Sequence, residues 1–291
     1  MRSISLLSPA KVNLFLKVLN KRPDGFHNIT TVFERIDLCD EIRFKLNTSG
    51  AIRIHCDHPH VPCGPRNLVY RAARMLREDF RVKNGVDIYL KKNIPVAAGL
   101  GGGSSNAATT LQGLNRLWKL DLTRSQLLPY ARRLGSDVPF FMYDCRWALG
   151  TGRGDSIEKL VISTRLWHVL VVPCIKLYSG EVYQGLGRRE GRRKMLTKIG
   201  DNATIFLRRL RQAYVSPIGE GLVNDLEEVV LRLSPGLGKL QQRLKSLNAQ
   251  GVMVSGSGPC VFAITETRRQ ANEIRAVLAR RFSRTFVART F

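Results

Sequence analysis

Eleven consecutive residues in the first half of the chain have the composition of a phosphate-binding loop. Glycine has no Cβ, so a glycine-rich backbone can approach a ligand closely, and a helix that follows it offers free N–H groups and a partial positive charge. The segment therefore predicts a site for nucleotide phosphates. Its residues are Pro95, Val96, Ala97, Ala98, Gly99, Leu100, Gly101, Gly102, Gly103, Ser104 and Ser105.

Two widespread phosphate loops do not match this segment. A P-loop has Lys and then Ser or Thr after its last glycine, whereas Ser104 and Ser105 follow Gly103. The dinucleotide fingerprint opens a βαβ unit, and the sequence that follows does not predict a parallel βαβ series. A flexible linker is the other alternative, but Gly/Ser linkers are usually longer and are not joined directly to an amphipathic helix.

Three further polar residues could act on a phosphate or a hydroxyl group. Lys11 and Asn13 would project from the same face of an apolar strand, where a lysine either extends its amine to solvent or meets an anion. Asp137 follows a predicted helix C-cap at Gly135 and precedes Pro139, which prevents the helix from continuing. An acid in such a tight loop is a candidate base or a helix N-cap.

Phe26 and His27 follow the turn signal Pro-Asp-Gly25. An exposed aromatic ring beside a histidine could stack on a nucleotide base and bind its edge. A hairpin turn with a buried phenylalanine accounts for the same two residues.

A group of histidines and cysteines raises the question of a zinc site. The spacing is irregular for a structural zinc site and prolines interrupt it, so a solvated loop with incidental thiols is favoured. The group comprises His55, Cys56, His58, His60 and Cys63.

Apolar periodicity predicts the elements that would hold these residues. A strand over 86–90 leads into the glycine loop, and a helix follows the loop. Other strands are predicted over 4–17, 30–37, 40–46, 166–173 and 284–288, with a hairpin over 147–157 and a strand–turn–strand unit over 251–264. Other helices are predicted over 67–81, 125–134, 202–213, 237–247 and 269–282, with two more opening at 179 and 224 and a basic mobile loop over 187–202.

The composition of the 291-residue chain is that of a globular protein, with 44% hydrophobic residues. No apolar run is long enough to span a bilayer and no signal peptide is evident, so we predict a cytoplasmic protein without a membrane partner. The net charge of +24 is spread evenly, as +11 in residues 1–150 and +13 in residues 151–291. This even distribution favours a general bias towards anionic substrates over specific nucleic-acid recognition.

Three blocks, at residues 8–13, 95–108 and 255–262, resemble the three motifs of the GHMP kinases. Within that superfamily, residues 23–27, 99–108, 135–141 and 224–227 resemble the 4-diphosphocytidyl-2-C-methyl-D-erythritol kinases. The resemblance implies an α+β fold of two domains with the active site between them. The domain over 1–162 would be similar to the second domain of ribosomal protein S5, and the domain over 163–291 would be ferredoxin-like.

The resemblance also implies a reaction, in which ATP, with Mg²⁺, phosphorylates the 2-hydroxyl of 4-diphosphocytidyl-2-C-methyl-D-erythritol (CDP-methylerythritol) in the non-mevalonate route to isoprenoid precursors. Lys11 and Asp137 would be catalytic, as the cation at the transferring phosphate and the base, and Asn13 would orient the erythritol. The glycine loop would wrap the ATP phosphates. The remaining implied site residues are Asn67 and Lys92 near the adenosine, Phe26 and Tyr183 around the cytosine, His27 at the cytosine edge, and Ser179 near that pocket.

Two other functions are weighed against this one. Another GHMP kinase, for homoserine or mevalonate, would not need the residues around cytosine. A basic nucleic-acid-binding protein on an inactive kinase scaffold would explain the charge, but the intact Lys11, Asp137 and loop glycines count against it. Phe26 stands where the family more often has Tyr, a change that keeps stacking and removes a hydroxyl. The expected state is a monomer or a homodimer.

Overall fold

A computed structural model describes residues 2–187 and 199–291 of the chain. The described strands are β1 (Ser3–Lys21), β2 (His27–Asn47), β3 (Ile52–Cys56), β4 (Gly85–Lys91), β5 (Trp147–Thr151), β6 (Ser156–Leu160), β7 (Trp167–Val171), β8 (Val223–Asn224), β9 (Gly251–Val254), β10 (Val261–Thr265) and β11 (Thr285–Arg289). The described helices are α1 (Leu68–Asp79), α2 (Gly102–Trp118), α3 (Arg124–Leu134), α4 (Val138–Phe141), α5 (Ser179–Gly187), α6 (Ile199–Gln212), α7 (Val215–Glu220), α8 (Glu227–Leu233), α9 (Pro235–Lys245) and α10 (Arg268–Ala279).

A seven-stranded sheet forms the first half of the molecule. Its order is β3-β4-β2-β1-β8, and the β5–β6 hairpin also pairs with β2. The helices α1 to α3 cover it, with apolar side chains such as Leu76, Leu111 and Leu127 packed on Phe44 and Ile88 in one core. The hairpin predicted over 147–157 is confirmed as β5 and β6.

The two strands predicted over 30–37 and 40–46 are in fact the single strand β2. The pairing of β1 with β2 shifts register between Pro9 and Ala10, where Cys39 and Ile36 are the opposing residues. Asp37 and Leu38 are thus accommodated as a bulge. A bulge bends a strand without ending it, which is why two apolar runs separated by polar residues can still form one strand.

A four-stranded antiparallel sheet, ordered β11-β7-β10-β9, forms the second half. The helices α8 to α10 pack on one face through Val230, Leu240 and Ile274. The strand–turn–strand unit predicted over 251–264 is confirmed as β9 and β10. The predicted boundary between residues 162 and 163 stays a prediction.

The two halves share a core and several backbone contacts. Phe15 from β1 packs with Phe206 from α6 and Phe262 from β10. The strand β8, from the second half of the chain, pairs in parallel with β1, where Leu16 lies opposite Asn224. These contacts hold the first and second sheets close to each other beside the glycine loop.

Two helices begin three residues away from their predicted starts. The helix predicted to open at Asn224 begins at Glu227, because Asn224 extends the first sheet as part of β8 and its Oδ1 accepts a hydrogen bond from Leu226 N. The helix predicted over 202–213 begins at Ile199. Most of the basic loop predicted over 187–202, residues 188–198, lies outside the described residues.

Candidate active site

The glycine loop joins β4 to α2 in the predicted order of strand, loop and helix. Gly99 and Gly101 have φ angles of 78° and 69°, a region that side chains with a Cβ disfavour. A Cβ on Gly99 would lie 2.2 Å from the carbonyl oxygen of Ser255. Glycine is therefore required at position 99 both by the backbone conformation and by the close approach of Ser255. The free N–H groups of α2 begin at Gly102, directly after Gly101.

The loop forms one wall of a cavity of about 570 Å³. Residues from the first sheet, from α2 and α5 and from several loops line this cavity. Among the residues predicted for the site, those in the lining are Lys11, Asn13, Asn67, Lys92, Pro95, Val96, Ala97, Ala98, Gly99, Leu100, Gly101, Gly102, Gly103, Ser104, Asp137, Ser179 and Tyr183.

Lys11 and Asp137 meet in this cavity although they are far apart in the sequence. Lys11 Nζ lies 3.4 Å from Asp137 Oδ2 and donates to Asn13 Oδ1 at 2.5 Å. Asn13 Nδ2 in turn donates to Thr31 Oγ1 at 2.8 Å. Lys11 is 4% exposed, so its side chain does not reach bulk solvent. The structure therefore favours the interpretation in which this lysine meets an anion over the one in which it extends its amine to solvent.

Asp137 is the N-cap residue of α4, but its side chain makes no capping hydrogen bond. Its carboxylate is about one-third exposed, at 32%. The side chain is therefore free to accept a hydrogen bond from a molecule in the cavity. This geometry favours the base interpretation over the capping interpretation.

Beneath the loop lies a buried polar network centred on Asp40. The Asp40 carboxylate pairs with Lys92 Nζ, and its Oδ1 accepts hydrogen bonds from the backbone N–H groups of Asn93 and Ile94, both at 2.8 Å. Asn106 Nδ2 donates to Asp40 Oδ2 at 2.8 Å. Lys92, implied near the adenosine, is thus held by a buried acid that sequence reasoning did not identify.

Ser105 belongs to the same interior. Its hydroxyl lies 2.8 Å from the hydroxyl of Ser8, its backbone N–H donates to Gly101 O, and it is fully buried. It does not line the cavity, in contrast to its neighbour Ser104.

Asn67 lines the cavity and also caps α1. Its Oδ1 accepts from Val69 N at 2.9 Å and its Nδ2 donates to Pro62 O at 2.7 Å. The side chain thereby fixes the loop before α1 against the helix.

The aromatic residues implied around cytosine are arranged differently from the expectation. The rings of His27 and Tyr183 stack at 5.6 Å between centroids with 23° between their planes. Phe26 is 52% exposed, and the guanidinium of Arg153 lies 5.0 Å from the centre of its ring. The structure thus brings His27, the first residue of β2, against Tyr183, whereas Phe26 in the preceding turn contacts Arg153.

Tyr183 also lies near the candidate base. Burial, and then the negative charge of Asp137, raise the pKa of the Tyr183 hydroxyl above its ordinary value. The hydroxyl therefore stays protonated and can donate a hydrogen bond. The aromatic end of the cavity and the Lys11–Asp137 pair belong to one continuous site.

The loop of the third motif closes the cavity from the second half of the molecule. Asn224 Nδ2 donates to Gly256 O at 2.8 Å and to Val254 O at 2.9 Å. A Cβ on Gly256 would lie 3.2 Å from Asn13 Oδ1. Ser257 Oγ lies 2.7 Å from Ser179 Oγ, which links this loop to the start of α5.

Several residues of the site were not predicted. Asp40 and Arg153 are polar residues between apolar runs, and neither has a local pattern that indicates a site. Asn224 lies in a motif that the sequence did single out, although its role as the anchor of the third loop depends on long-range contacts.

Within the described part of the chain, no group of three or more His, Cys, Asp or Glu side chains could hold a metal ion. Of the histidines considered for zinc, His55 stacks on Tyr89 at 4.7 Å between ring centroids. The thiol of Cys56 is half-buried, and burial raises its pKa. No described helix is both long and apolar enough to cross a bilayer.

Family models match both halves of the chain. The model described as GHMP kinases N terminal domain matches residues 67–145, and the model described as GHMP kinases C terminal matches residues 208–284. The first match includes the glycine loop and Asp137, and the second includes the loop of the third motif.

Curated relatives agree over almost the full length. A 4-diphosphocytidyl-2-C-methyl-D-erythritol kinase of Exiguobacterium sibiricum is 42% identical over 94% of this chain and 92% of its own. One of Geobacter metallireducens is 41% identical over 93% of this chain and 92% of its own.

Solved structures give the same result. A crystal structure of 4-(cytidine 5'-diphospho)-2C-methyl-D-erythritol kinase superposes with a TM-score of 0.79 at 31% identity, covering 98% of both chains. Homoserine kinase from Cytophaga hutchinsonii superposes with a TM-score of 0.76 at 20% identity, over 99% of this chain and 94% of its own, which shows the shared fold alone. The α+β, two-domain architecture expected from the motifs is thereby confirmed. The chain belongs to the GHMP kinases, in the family of the 4-diphosphocytidyl-2-C-methyl-D-erythritol kinases.

Proposed function

We propose that this enzyme transfers the γ-phosphoryl group of ATP to the 2-hydroxyl of CDP-methylerythritol. The observation that supports it best is one cavity lined by the Lys11–Asp137 pair and by Tyr183, on whose ring His27 stacks. The first pair suits phosphoryl transfer to a hydroxyl, and the second suits a base-bearing acceptor. The relatives named above carry the same activity in their names.

Phosphoryl transfer depends on positioning and on neutralising charge more than on covalent help. In the proposed reaction Asp137 accepts the proton of the 2-hydroxyl as that oxygen attacks the γ-phosphorus, and the bond to the β-phosphate oxygen breaks to leave ADP. Lys11 supplies a positive charge beside both groups. The backbone N–H groups at the start of α2 stabilise the charge on the phosphate oxygens.

Acceptor recognition is assigned to the aromatic end. Stacking of a base on an aromatic ring is worth about 1–3 kcal/mol. We propose that Tyr183 stacks on the cytosine and that His27 binds the cytosine edge, with Phe26 as the outer ring of the sandwich. Asn13 orients the erythritol, and Ser179 and Ser257 line the path between the two ends.

Mg²⁺ accompanies ATP in the proposed reaction and neutralises phosphate charge. This ion keeps several waters and takes few protein ligands beside substrate phosphates. Ser104 fits such a role, because it lines the cavity in the first turn of α2 and its hydroxyl has no hydrogen-bond partner among residues 2–187 and 199–291. Ser105 does not fit, because Ser8 engages its hydroxyl.

The proposal is tested by ATP consumption with CDP-methylerythritol, homoserine and mevalonate as acceptors, and with no acceptor as the control. We expect turnover with the first acceptor alone. Turnover with homoserine or mevalonate, together with no binding of CDP, would contradict the proposed function and indicate another GHMP kinase activity. Salt-dependent RNA binding without ATP turnover would favour the nucleic-acid-binding alternative.

A further inference from the structure

Arg153 lines the cavity at a point that none of the motifs explains. It lies in the turn of the β5–β6 hairpin, and this turn packs on the first residues of β2. Ile29 N donates to Gly152 O at 2.7 Å, and a Cβ on Gly154 would lie 3.0 Å from Ile29 Cδ1. The position of Arg153 is therefore fixed relative to β2.

The order of contacts along β2 shows where Arg153 lies between the two ends of the cavity. His27 faces Tyr183 at the aromatic end, and Thr31 holds Asn13 beside Lys11 at the transfer end. Ile29, which lines the cavity, lies midway between them. Four residues of strand span roughly 13 Å, so the turn that carries Arg153 lies beside the middle of this path.

The guanidinium is oriented and still has hydrogen atoms to donate. Nε and NH2 both donate to Asp155 Oδ2, at 3.2 and 2.7 Å. NH1 has no hydrogen-bond partner in the described part of the chain. Arg153 Cζ lies over the Phe26 ring, 5.0 Å from the ring centroid. One edge is thus held in place while the other is available to a planar or tetrahedral anion.

Of the three other lysine and arginine residues in the cavity lining, two are engaged in ion pairs and the third lies next to α1. Lys11 pairs with Asp137 and Lys92 pairs with Asp40. Arg66 precedes Asn67, next to the capped end of α1. Arg153 is therefore the cation that lies beside Phe26, Ile29 and the aromatic end.

We propose that Arg153 binds the diphosphate that joins the cytidine of the acceptor to its polyol, and that it thereby selects a nucleoside diphosphate ester over an uncharged nucleoside. This inference rests on the proposed function, because the proposed acceptor has cytosine at one end, a reacting hydroxyl at the other, and a diphosphate between them. Asp155 is a positioning residue that sets the direction of the guanidinium.

The test compares the binding of CDP and of cytidine to the wild type and to Arg153→Ala, by calorimetry at one salt concentration. A hydrogen bond to a charged group contributes enough that its loss weakens binding about 10- to 100-fold. We expect that loss for CDP and little change for cytidine. Arg153→Lys keeps the charge and loses the forked guanidinium. Its affinity for CDP should lie between those of the wild type and Arg153→Ala.

Arg53→Ala is the matched control. Arg53 also pairs with an aspartate, as its NH1 lies 3.5 Å from Asp87 Oδ1, but it lies on β3 and does not line the cavity. It should leave both affinities unchanged. In steady-state assays, Arg153→Ala should raise KM for CDP-methylerythritol with kcat within a factor of about three, since the proposed contact binds the ground state and transition state alike.

Two results would overturn the assignment. An equal loss for CDP and cytidine would mean that Arg153 acts by holding Phe26 and not by binding phosphate, and an unchanged CDP affinity would remove Arg153 from the acceptor site. Failure of the proposed function looks different, because the wild type would then bind neither CDP nor cytidine.

Discussion

The two ends of the cavity are built in different ways. At the phosphate end, backbone conformation and a buried network fix every group, from the left-handed Gly99 and Gly101 to the Asp40–Lys92 pair below them. At the proposed acceptor end, side chains from the turn before β2, from β2 and from α5 meet, with Phe26 half-exposed and His27 stacked on Tyr183. A phosphate chain is the same in every ATP-dependent enzyme, so its site can be rigid, whereas in the proposed function the acceptor end carries the selectivity.

The Lys11–Asp137 pair lies where the two ends meet, and it should give the largest effect on the reaction. A positioned base contributes about 10²- to 10⁴-fold to rate. We expect Asp137→Asn to lower kcat by that factor with modest change in KM, measured by ATP consumption with CDP-methylerythritol. Wild-type turnover in this variant would remove Asp137 from the base role.

A test of rigidity at the phosphate end uses two adjacent lysines. Lys92→Met leaves the fully buried Asp40 carboxylate without its cation, and breaking a buried pair costs about 3–5 kcal/mol of unfolding free energy. Lys91→Met is the control, because its pair with Glu41 is exposed, and it should leave the urea midpoint almost unchanged.

The same variant separates two roles of Lys92. A stability loss with an unchanged KM for ATP would assign it a structural role. A rise in KM for ATP without a stability loss would contradict the importance of the Asp40 network and favour direct contact with the nucleotide.

The glycines of the loop offer a second matched pair. Gly99→Ala places a Cβ on a left-handed residue against Ser255 O, and we expect a loss of about 2–3 kcal/mol in urea unfolding. Gly103→Ala meets no atom within 4 Å and lies in α2, where alanine should be neutral or stabilising by up to about 1 kcal/mol. Equal losses in both variants would show that local crowding does not distinguish these positions.

At the acceptor end, ring removal should act on recognition and leave stability alone. Tyr183→Leu should raise KM for CDP-methylerythritol by the equivalent of about 1–3 kcal/mol, because stacking on the base is lost. Phe26→Leu should have a smaller effect if the exposed ring is the outer one, and His27→Ala should also raise KM mainly. A larger rise in KM for Phe26→Leu than for Tyr183→Leu would contradict the assignment of Tyr183 as the inner ring. An unchanged KM in His27→Ala would remove that residue from cytosine recognition.

The smallest expected effect concerns Glu227, whose Oε1 accepts from Val254 N just before the third loop. Burial raises the pKa of this carboxyl, although its hydrogen bonds to Val254 and Gln241 oppose the shift. A raised native pKa means that the folded protein favours the protonated form of Glu227. The contribution of this group to the unfolding free energy is therefore present at acid pH and is lost as pH rises through the native pKa.

Glu227→Gln keeps the shape of the side chain without its charge. The unfolding free energy of the variant should therefore match that of the wild type at acid pH and exceed it towards pH 7. Urea unfolding across this range is the measurement, and a difference that does not change with pH would contradict the direction.

The elements around the phosphate end were largely predictable, because their signals are local. The order of strand, glycine loop and helix, the helix predicted over 67–81 and the hairpin predicted over 147–157 are all confirmed. The bulge at Asp37 and Leu38 was not predictable, since a strand that continues through polar residues is decided by its partner strand. For the same reason Asn224 was assigned to a helix, whereas pairing with β1 makes it part of a sheet.

The sequence by itself determined the phosphate loop and the family, because close approach to phosphate demands glycine and a helix start at one continuous segment. The failure of the P-loop pattern also showed that the loop has no lysine of its own, and the family resemblance gave the proposed catalytic role to Lys11. Tertiary structure alone decided that Lys11 meets Asp137, that Asp40 holds Lys92 and that His27, not Phe26, faces Tyr183. Each of these contacts joins residues distant in sequence, and strand register and burial, which no local pattern encodes, bring them together.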